Sequence, residues 1–505
     1  MKRIFSFLFV VVFSAKAFAQ NRAAGRLDSL FRELYSYGQI NGNVLIAENG
    51  QPIYQQSFGY TNFKQRISNT DSSRFTLGSI AKVFTSTAIL QLKGKGKLKL
   101  DDALQKYFPD FPFTDITIRH LLSHTSGLPD YELFHEQINK DPGKIFFNRD
   151  IIASLKSWTK QLYFTPGEKW QYSNMNFCML ALLVEKISGL SFQQYIEQNI
   201  FRPAHMYNTY FFTDTMKIAD TKRAINHQYE WFYSKEPVAV DSLKKLRRRL
   251  YNLNGFTGQG NIITTTADLL NFDNALYAGK ILKPSILAEA FAPTKLNNGK
   301  DNVANIGIGN ASYGLGWFIF SDSSAGKIVW HTGGVPGGLS IYLRNISQRK
   351  TVITFDNAFS EGLYGAGINA MNILNNQPLV IRRKSLVHEY SNALLEKGID
   401  AAFCRLLQLK EDSIHYYLSE DDINELGLQL LYAASFEKHK ELALEVLKLN
   451  TLLFPNSFNT YDSYGEALAN VGKKEEAIMM YKKSIALNPA NEGGKKALEQ
   501  LMKNQ

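Results

Sequence analysis

Lys82 is the only charged residue in LGSIAKVFTSTAILQL, Leu77 to Leu92, and Ser79 stands three residues before it. The segment reads as a helix buried on every side. Ile80, Val83, Phe84 and Ala88 fall on one face, and Ala81, Ile89 and Leu92 on another. An isolated ammonium in such a place carries a heavy desolvation penalty, so the lysine either sheds its proton or finds a partner. Ser79 follows Gly78 at the expected helix start and shares a face with Lys82. A serine hydroxyl is a weak nucleophile until a neighbour takes its proton, and a desolvated lysine is such a neighbour. The helix N-terminus adds partial positive charge, and the Ser79 backbone N–H is available to a developing oxyanion. The competing reading is an N-cap serine beside a snorkelling lysine.

Ser-x-x-Lys alone is a weak signal, because it occurs at Ser79, Ser157, Ser242, Ser324, Ser347 and Ser435. Only Ser79 opens an apolar helix; the others fall in polar turns, a basic run, a polar helix or the C-terminal region. Two more stretches add weight. WQYSNMNF places Tyr172 and Asn174 directly before the apolar helix of Leu180, Leu183, Val184 and Ile187. A phenol near an ammonium has its pKa lowered, so Tyr172 is expected to share a proton with Lys82 and Ser79. Asn174 is expected to fix Lys82 and bind a substrate amide. Tyr60-x-Asn62 sits at a strand end, and Tyr390-x-Asn392 reads as surface in the helical tail. KIVWHTGGVPG then runs a β-rich segment into His331, Thr332, Gly333 and Gly334. Glycines after a strand let a substrate approach the backbone, and the Gly334 N–H is placed to complete an oxyanion hole. A second HTSG, at His124, follows a helix and reads as loop capping by His124 and Ser126.

These segments are far apart, so a fold must gather them. Leu27, Leu30, Phe31 and Leu34 have helical spacing, and NVLIAENGQPIYQQSFG reads as a hairpin around Asn49-Gly50. From Ser79 to about Ala290 the signals are mostly helical. Strands return in YGLGWFIF, KIVWHTGG, LSIYLRNI and TVITFDN. Strands at both ends of this region and helices between them predict one antiparallel sheet with helices on its faces. After Pro378 the pattern is all-helical. Pro455 and Pro489, Ala443 and Ala477, and Leu447 and Tyr481 are each 34 residues apart, the period of tetratricopeptide repeats. Two such repeats are expected in a C-terminal helical domain, either binding a protein or peptide partner or packing on the main domain.

The 505-residue chain carries a net charge of +11, spread except for LKKLRRRL, which reads as a solvated face. No nucleic-acid motif accompanies it. Lys2, Arg3, the apolar run Ile4 to Phe13 and Ala17-Phe18-Ala19 read as a signal peptide cleaved after Ala19. The apolar run is too short to span a bilayer, so the expected product is periplasmic or secreted, with no stable membrane anchor. Cys178 and Cys404 are read as separately buried rather than bridged.

With Ser79-x-x-Lys82, Tyr172-x-Asn174 and His331-Thr332-Gly333 in order, residues 25 to 375 resemble the serine β-lactamase and penicillin-binding-protein superfamily. The resemblance is to the branch holding class C β-lactamases, D-alanyl-D-alanine carboxypeptidases, D-aminopeptidases and related esterases. LLSHTSGLPDY, TPGEKWQYSN and YGLGW also look like its connecting segments. The resemblance implies an α/β fold, a helical lobe beside an antiparallel sheet, over residues 20–378, followed by the helical domain 379–505. It implies an acyl-serine mechanism on a small-molecule or peptide substrate, with Ser79 the nucleophile, Lys82 and Tyr172 the acid/base pair, and the Ser79 and Gly334 amides holding the oxyanion. No cofactor or metal is expected, and the histidines lack ligand spacing. Where the family usually has lysine before Thr-Gly, this chain has His331. Carboxylate recognition is then expected to weaken as His331 deprotonates, which weighs against an efficient β-lactamase and for an esterase or peptidase. The alternative is a catalytically idle sensor that keeps the pocket and contacts a partner through its repeats.

Overall fold

The computed structural model describes residues 22–158, 160–212, 220–231, 234–243, 252–304, 308–320, 324–360, 362–380, 383–432 and 437–503. The segment 1–19, expected to be a signal peptide, most of the basic run and Ser435 lie outside them. The chain divides into one unit of Met1–Gln228 and Pro237–Val380, and a second of Tyr229–Glu236 and Ile381–Gln505.

The first unit is built on a seven-stranded antiparallel sheet drawn from both ends of its sequence. Its strands are β1 (Gly42–Glu48), β2 (Gln51–Ser57), β3 (Ala311–Tyr313), β4 (Phe318–Phe320), β5 (Ile328–Val335), β6 (Gly338–Asn345) and β7 (Lys350–Asp356), in the order β3-β4-β5-β6-β7-β1-β2. Asn49 and Gly50 both adopt positive φ, 52° and 78°, as a tight turn between β1 and β2 demands. The long-range pairing is β1 on β7, with Leu45 opposite Ile353.

Both faces of the sheet are covered, and alternation along the strands shows it. Val44 and Ile46 pack with Leu27 and Phe31 of helix α1 (residues 22–36) and with Ala366 and Ala370 of a late helix, Leu363–Leu374. Leu45 and Ala47 join the opposite layer, the helical lobe. Two helices of that lobe matter for the site. Helix α2 (Ala81–Gly94) follows a 3-10 turn, Gly78–Ile80, and buries residues all around, Lys82 included. Helix α3 (Asn174–Ser188) is stopped by Gly189 in the left-handed region at φ 71°, its N–H bonded to the Glu185 carbonyl. Within the same layer a buried ion pair joins Arg344 to Asp273, which also accepts from Tyr342 Oη at 2.6 Å and Thr351 Oγ1 at 2.7 Å.

The second unit has its own core, with Leu386, Tyr390, Leu426, Leu447 and Ala467 among its members. Its helices include the consecutive pairs Glu420–Tyr432 with Glu437–Leu453 and Phe458–Asn470 with Lys474–Leu487. Ala443 and Ala477 are both fully buried. Two expectations fail here. Tyr390 is 1% exposed, a core residue rather than a surface one, because its helix, Leu386–Lys397, turns an apolar face inward. Cys404 is exposed, while Cys178 is buried, and both are free thiols.

Candidate active site

Ser79 is placed by a crossing of two backbones. The Leu77 N–H donates to the Ile262 carbonyl at 2.9 Å, and the Leu77 carbonyl accepts from Ser340 Oγ of β6 at 2.7 Å. Gly78 then takes φ +55°, where a Cβ would sit 2.9 Å from the Gly334 nitrogen. A Cβ on Gly333 would meet the Leu77 carbonyl oxygen at 1.9 Å. Only glycines admit this approach, and it brings the Gly334 amide beside the turn that carries Ser79.

One turn later Lys82, fully buried, reaches back to Ser79. As an ammonium it donates to Ser79 Oγ at 2.9 Å, Asn174 Oδ1 at 2.8 Å and the Gln259 carbonyl at 2.9 Å. The two carbonyl oxygens only accept, so they hold two N–H groups in either protonation state. The third position faces the serine. It carries a proton when Lys82 is charged and a lone pair for the Ser79 hydroxyl when it is neutral. Burial lowers the Lys82 pKa from 10.5 to about 7, opposed by the charge of Asp130. The amine is therefore poised to accept a proton near neutral pH.

The Tyr172 hydroxyl lies near Ser79 and interacts with it electrostatically, and the Lys82 ammonium lies 4.9 Å from the Tyr172 ring centroid. The expected acidification of this phenol does not occur. Burial pushes its pKa well above the ordinary range, and the Ser79 contact opposes that only in part. Tyr172 is thus a neutral hydroxyl, suited to pass a proton rather than to hold a charge.

The segment His124–Asp130 is the mould for the Tyr-x-Asn loop. The His124 carbonyl accepts from the Gln171 N–H at 2.9 Å, and its Nδ1 accepts from the Ser173 N–H at 3.2 Å, so Tyr172 is gripped on both sides. The His124 ring lies against that of Tyr172, centroids 4.3 Å apart. Burial drives the His124 pKa well below 6.5, which keeps Nδ1 an acceptor. Ser126 Oγ donates to Asn176 Oδ1 at 2.6 Å, and Ser173 Oγ to the Pro129 carbonyl at 3.0 Å. Asp130 takes the Asn174 N–H on Oδ1 and the Asn174 side-chain N–H on Oδ2, both at 2.9 Å.

His331 is 1% exposed rather than open to titration as expected. It is buried on the sheet face turned to the helical lobe, with Nδ1–H donating to the Thr332 carbonyl at 2.6 Å and Nε2 3.1 Å from the Tyr313 hydroxyl. Burial, reinforced by Lys82, lowers its pKa to about 3, so it stays neutral through the range in which a free histidine titrates. Thr332 lies on the opposite face and is felt by Tyr364, whose hydroxyl donates to the Gly333 carbonyl at 3.0 Å. Tyr364 is felt electrostatically by Tyr172.

Ser79, Lys82, Tyr172, Asn174, Thr332, Gly333 and Gly334 therefore converge, and His331 stands behind them as support. Two rival motifs among the described residues do not assemble. Lys350 bonds to Gln348, Leu374 and Asn375 rather than to Ser347, and Ser157 Oγ donates to the Ser154 carbonyl. Among the described residues no cluster of histidine, cysteine and carboxylates has metal-binding geometry. His124 and Ser126 cap loop backbone as the sequence suggests, and sequence reasoning missed Asp130, Tyr364, Gln259 and the grip of His124 on the Tyr172 loop. Asp130 and His124 lay in the quoted HTSGLPDY; Gln259 acts through its carbonyl, which no side-chain pattern announces.

A family model described as beta-lactamase matches residues 27–364. Penicillin-binding protein 4* of Bacillus subtilis is 36% identical over 357 residues, covering 70% of this chain and 76% of that protein. The structure of a penicillin-binding protein from Bacillus halodurans is similar at TM-score 0.56 and 26% identity, over 69% of this chain and 98% of that one. A D-amino acid amidase from Ochrobactrum anthropi, complexed with L-phenylalanine amide, shares the fold at TM-score 0.56 and 22% identity, over 71% and 99%.

Proposed function

The chain belongs to the beta-lactamase family, and on that premise we propose that it is an exported serine hydrolase that cleaves an ester or amide through an acyl-serine intermediate on Ser79. Neutral Lys82 takes the Ser79 proton as Oγ attacks the carbonyl carbon. The Ser79 and Gly334 N–H groups receive the negative charge on the carbonyl oxygen. The proton then passes through the Tyr172 hydroxyl to the leaving oxygen or nitrogen as its bond to the acyl carbon breaks. In the second half water gives a proton to the same pair and attacks the acyl carbon, and the pair returns that proton to Oγ as its bond to the acyl carbon breaks, freeing Ser79. The observation that carries this reading is the Lys82 amine, fully buried, with two carbonyl partners and its third position on the Ser79 hydroxyl.

The same geometry supports a substrate without a carboxylate beside the scissile bond. His331 keeps both ring nitrogens in bonds to Thr332 and Tyr313 and stays neutral, so it offers no cation to a carboxylate. An esterase or peptidase is favoured over an efficient β-lactamase. Export rests on the character of residues 1–19, and a partner for the C-terminal helices rests on their repeat spacing.

Intact-protein mass spectrometry after exposure to a fluorophosphonate and to a penicillin, with Ser79→Ala as control, tests the reading. Expected is one fluorophosphonate adduct that Ser79→Ala abolishes, with little or no penicilloyl adduct. Equal labelling of the variant would mean that another serine reacts.

A further inference from the structure

Asn174 turns its side-chain oxygen, not its nitrogen, toward Lys82, and the residue that decides this is Asp130. Both Asp130 oxygens are acceptors in use. Oδ1 takes the backbone N–H of Asn174, the first residue of α3, and Oδ2 takes the side-chain N–H. A flipped amide would set its oxygen against the carboxylate and its NH2 against the ammonium, two repulsions at once. We propose that Asp130 is a positioning residue of the acyl-transfer site, which locks the Asn174 amide with its oxygen on Lys82 and places a negative charge where it favours the ammonium form of that amine. The inference rests on the serine-hydrolase reading of the site and adds to it a residue that does not touch substrate.

The surroundings of Lys82 leave Asp130 as the group able to play this part. From its own turn Lys82 faces Ser79; from α3, Asn174 and Cys178; from the loop before α3, Tyr172; from the mould segment, His124 and Asp130; from β5, His331. The two histidines are held neutral by burial, the Tyr172 phenol is held un-ionised, and burial drives the Cys178 thiol well above its ordinary pKa. Asp130 is the remaining carboxylate among them. Burial raises its pKa, while both Asn174 bonds and the Lys82 charge favour its ionised form. Charge thus acts on Lys82 through space and position acts through Asn174, and the two are separable.

The test uses the full-length protein and two readouts: the pH dependence of fluorophosphonate labelling at Ser79, and the Lys82 titration followed by NMR with ε-13C-lysine, assigned with Lys82→Arg. Asp130→Asn removes the charge and leaves an amide able to satisfy only one of the two Asn174 donors. Labelling should slow roughly 10- to 100-fold, the scale of a displaced catalytic group, and both midpoints should move to lower pH by half a unit or more. Asp130→Glu keeps the charge but displaces the carboxylate, so its labelling slows while the Lys82 midpoint stays within about 0.3 unit of wild type. In an Asn174→Ala background the positional loss should vanish and the midpoint shift remain. Midpoints unmoved in Asp130→Asn, with labelling merely slower, would reduce Asp130 to a cap on α3 and overturn the proposal. Absence of Ser79 labelling in the wild-type protein would instead defeat the hydrolase reading, and the NMR titration would still report whether Asp130 acts on Lys82.

Discussion

Replacing Lys82 by Met gives the sharpest check on the site's electrostatics, because it yields a stability measurement that needs no substrate. In the folded protein Lys82 releases its proton near pH 7; in the unfolded chain it does so near 10.5. Between these values the unfolded state holds one more proton on this residue, so unfolding free energy rises with pH. At about 1.36 kcal/mol per pH unit, full protonation of the buried amine costs on the order of 5 kcal/mol. Methionine removes that cost but orphans the Asn174 and Gln259 oxygens, each at roughly 1–3 kcal/mol, so the sign at any single pH is a close balance. The dependence on pH is not. The wild-type minus Lys82→Met difference should be nearly flat below about pH 6.5 and then grow in favour of wild type, by about 2.3 kcal/mol from pH 7 to 9. Urea titrations at pH 6, 7, 8 and 9, read by the fluorescence of Trp158, Trp170, Trp317 and Trp330 in the first unit, measure it. A difference constant within about 0.5 kcal/mol over that range would refute a neutral buried amine, and with it the base assigned to Ser79.

Tyr172→Phe keeps the ring against His124 and loses only the hydroxyl. Hydrolysis should fall about 10²- to 10⁴-fold with the melting temperature nearly unchanged, by steady-state assay and calorimetry. His331 has a folded pKa near 3 against 6.5 when free, so it destabilises the fold as pH drops below 6.5 and leaves the pH–rate profile from 5.5 to 8 alone; His331→Gln should keep the wild-type midpoint in that profile. Gly333→Ala drives a methyl into the Leu77 carbonyl, so it should cost about 1–3 kcal/mol or more in urea titrations and abolish Ser79 labelling. Asp273→Asn leaves Arg344 buried without its charge partner and should lower stability by roughly 3–5 kcal/mol in the same titrations.

What the sequence disclosed and what it hid follow from the range of the interactions. The hairpin at Asn49-Gly50 and the helix at Ala81–Gly94 are local facts, written in turn chemistry and in apolar residues at every spacing. A charge in an apolar helix is conspicuous, which is why Lys82 led to Ser79. The pKa of Tyr172 went the wrong way because proximity to an ammonium was visible in the motif and the depth of burial was not. His331 was misplaced for a related reason. Alternation along β5 puts it on the face toward the helical lobe, and which face that would be depended on β6 and the lobe together. Asp130 was in plain view within HTSGLPDY, yet its role exists only once residues 124–130 lie along 171–176. Tyr390 shows the same limit in the second unit, where burial of its helix face is decided by the neighbouring helices.

The pairing of β1 with β7 sets a timetable for the chain. Gly42 lies opposite Asp356, and the Asn41 N–H reaches that carboxylate across a sequence separation of 315 residues. Loop closure on this scale belongs to slow, high-contact-order folding. During synthesis β1 has only β2 beside it, and its other edge stays open until nearly the whole first unit has left the ribosome. Ser79 and Gly334 are likewise far apart in synthesis, and a protein stopped short of residue 328 would hold the proposed nucleophile without β5, the strand whose Gly334 amide faces it.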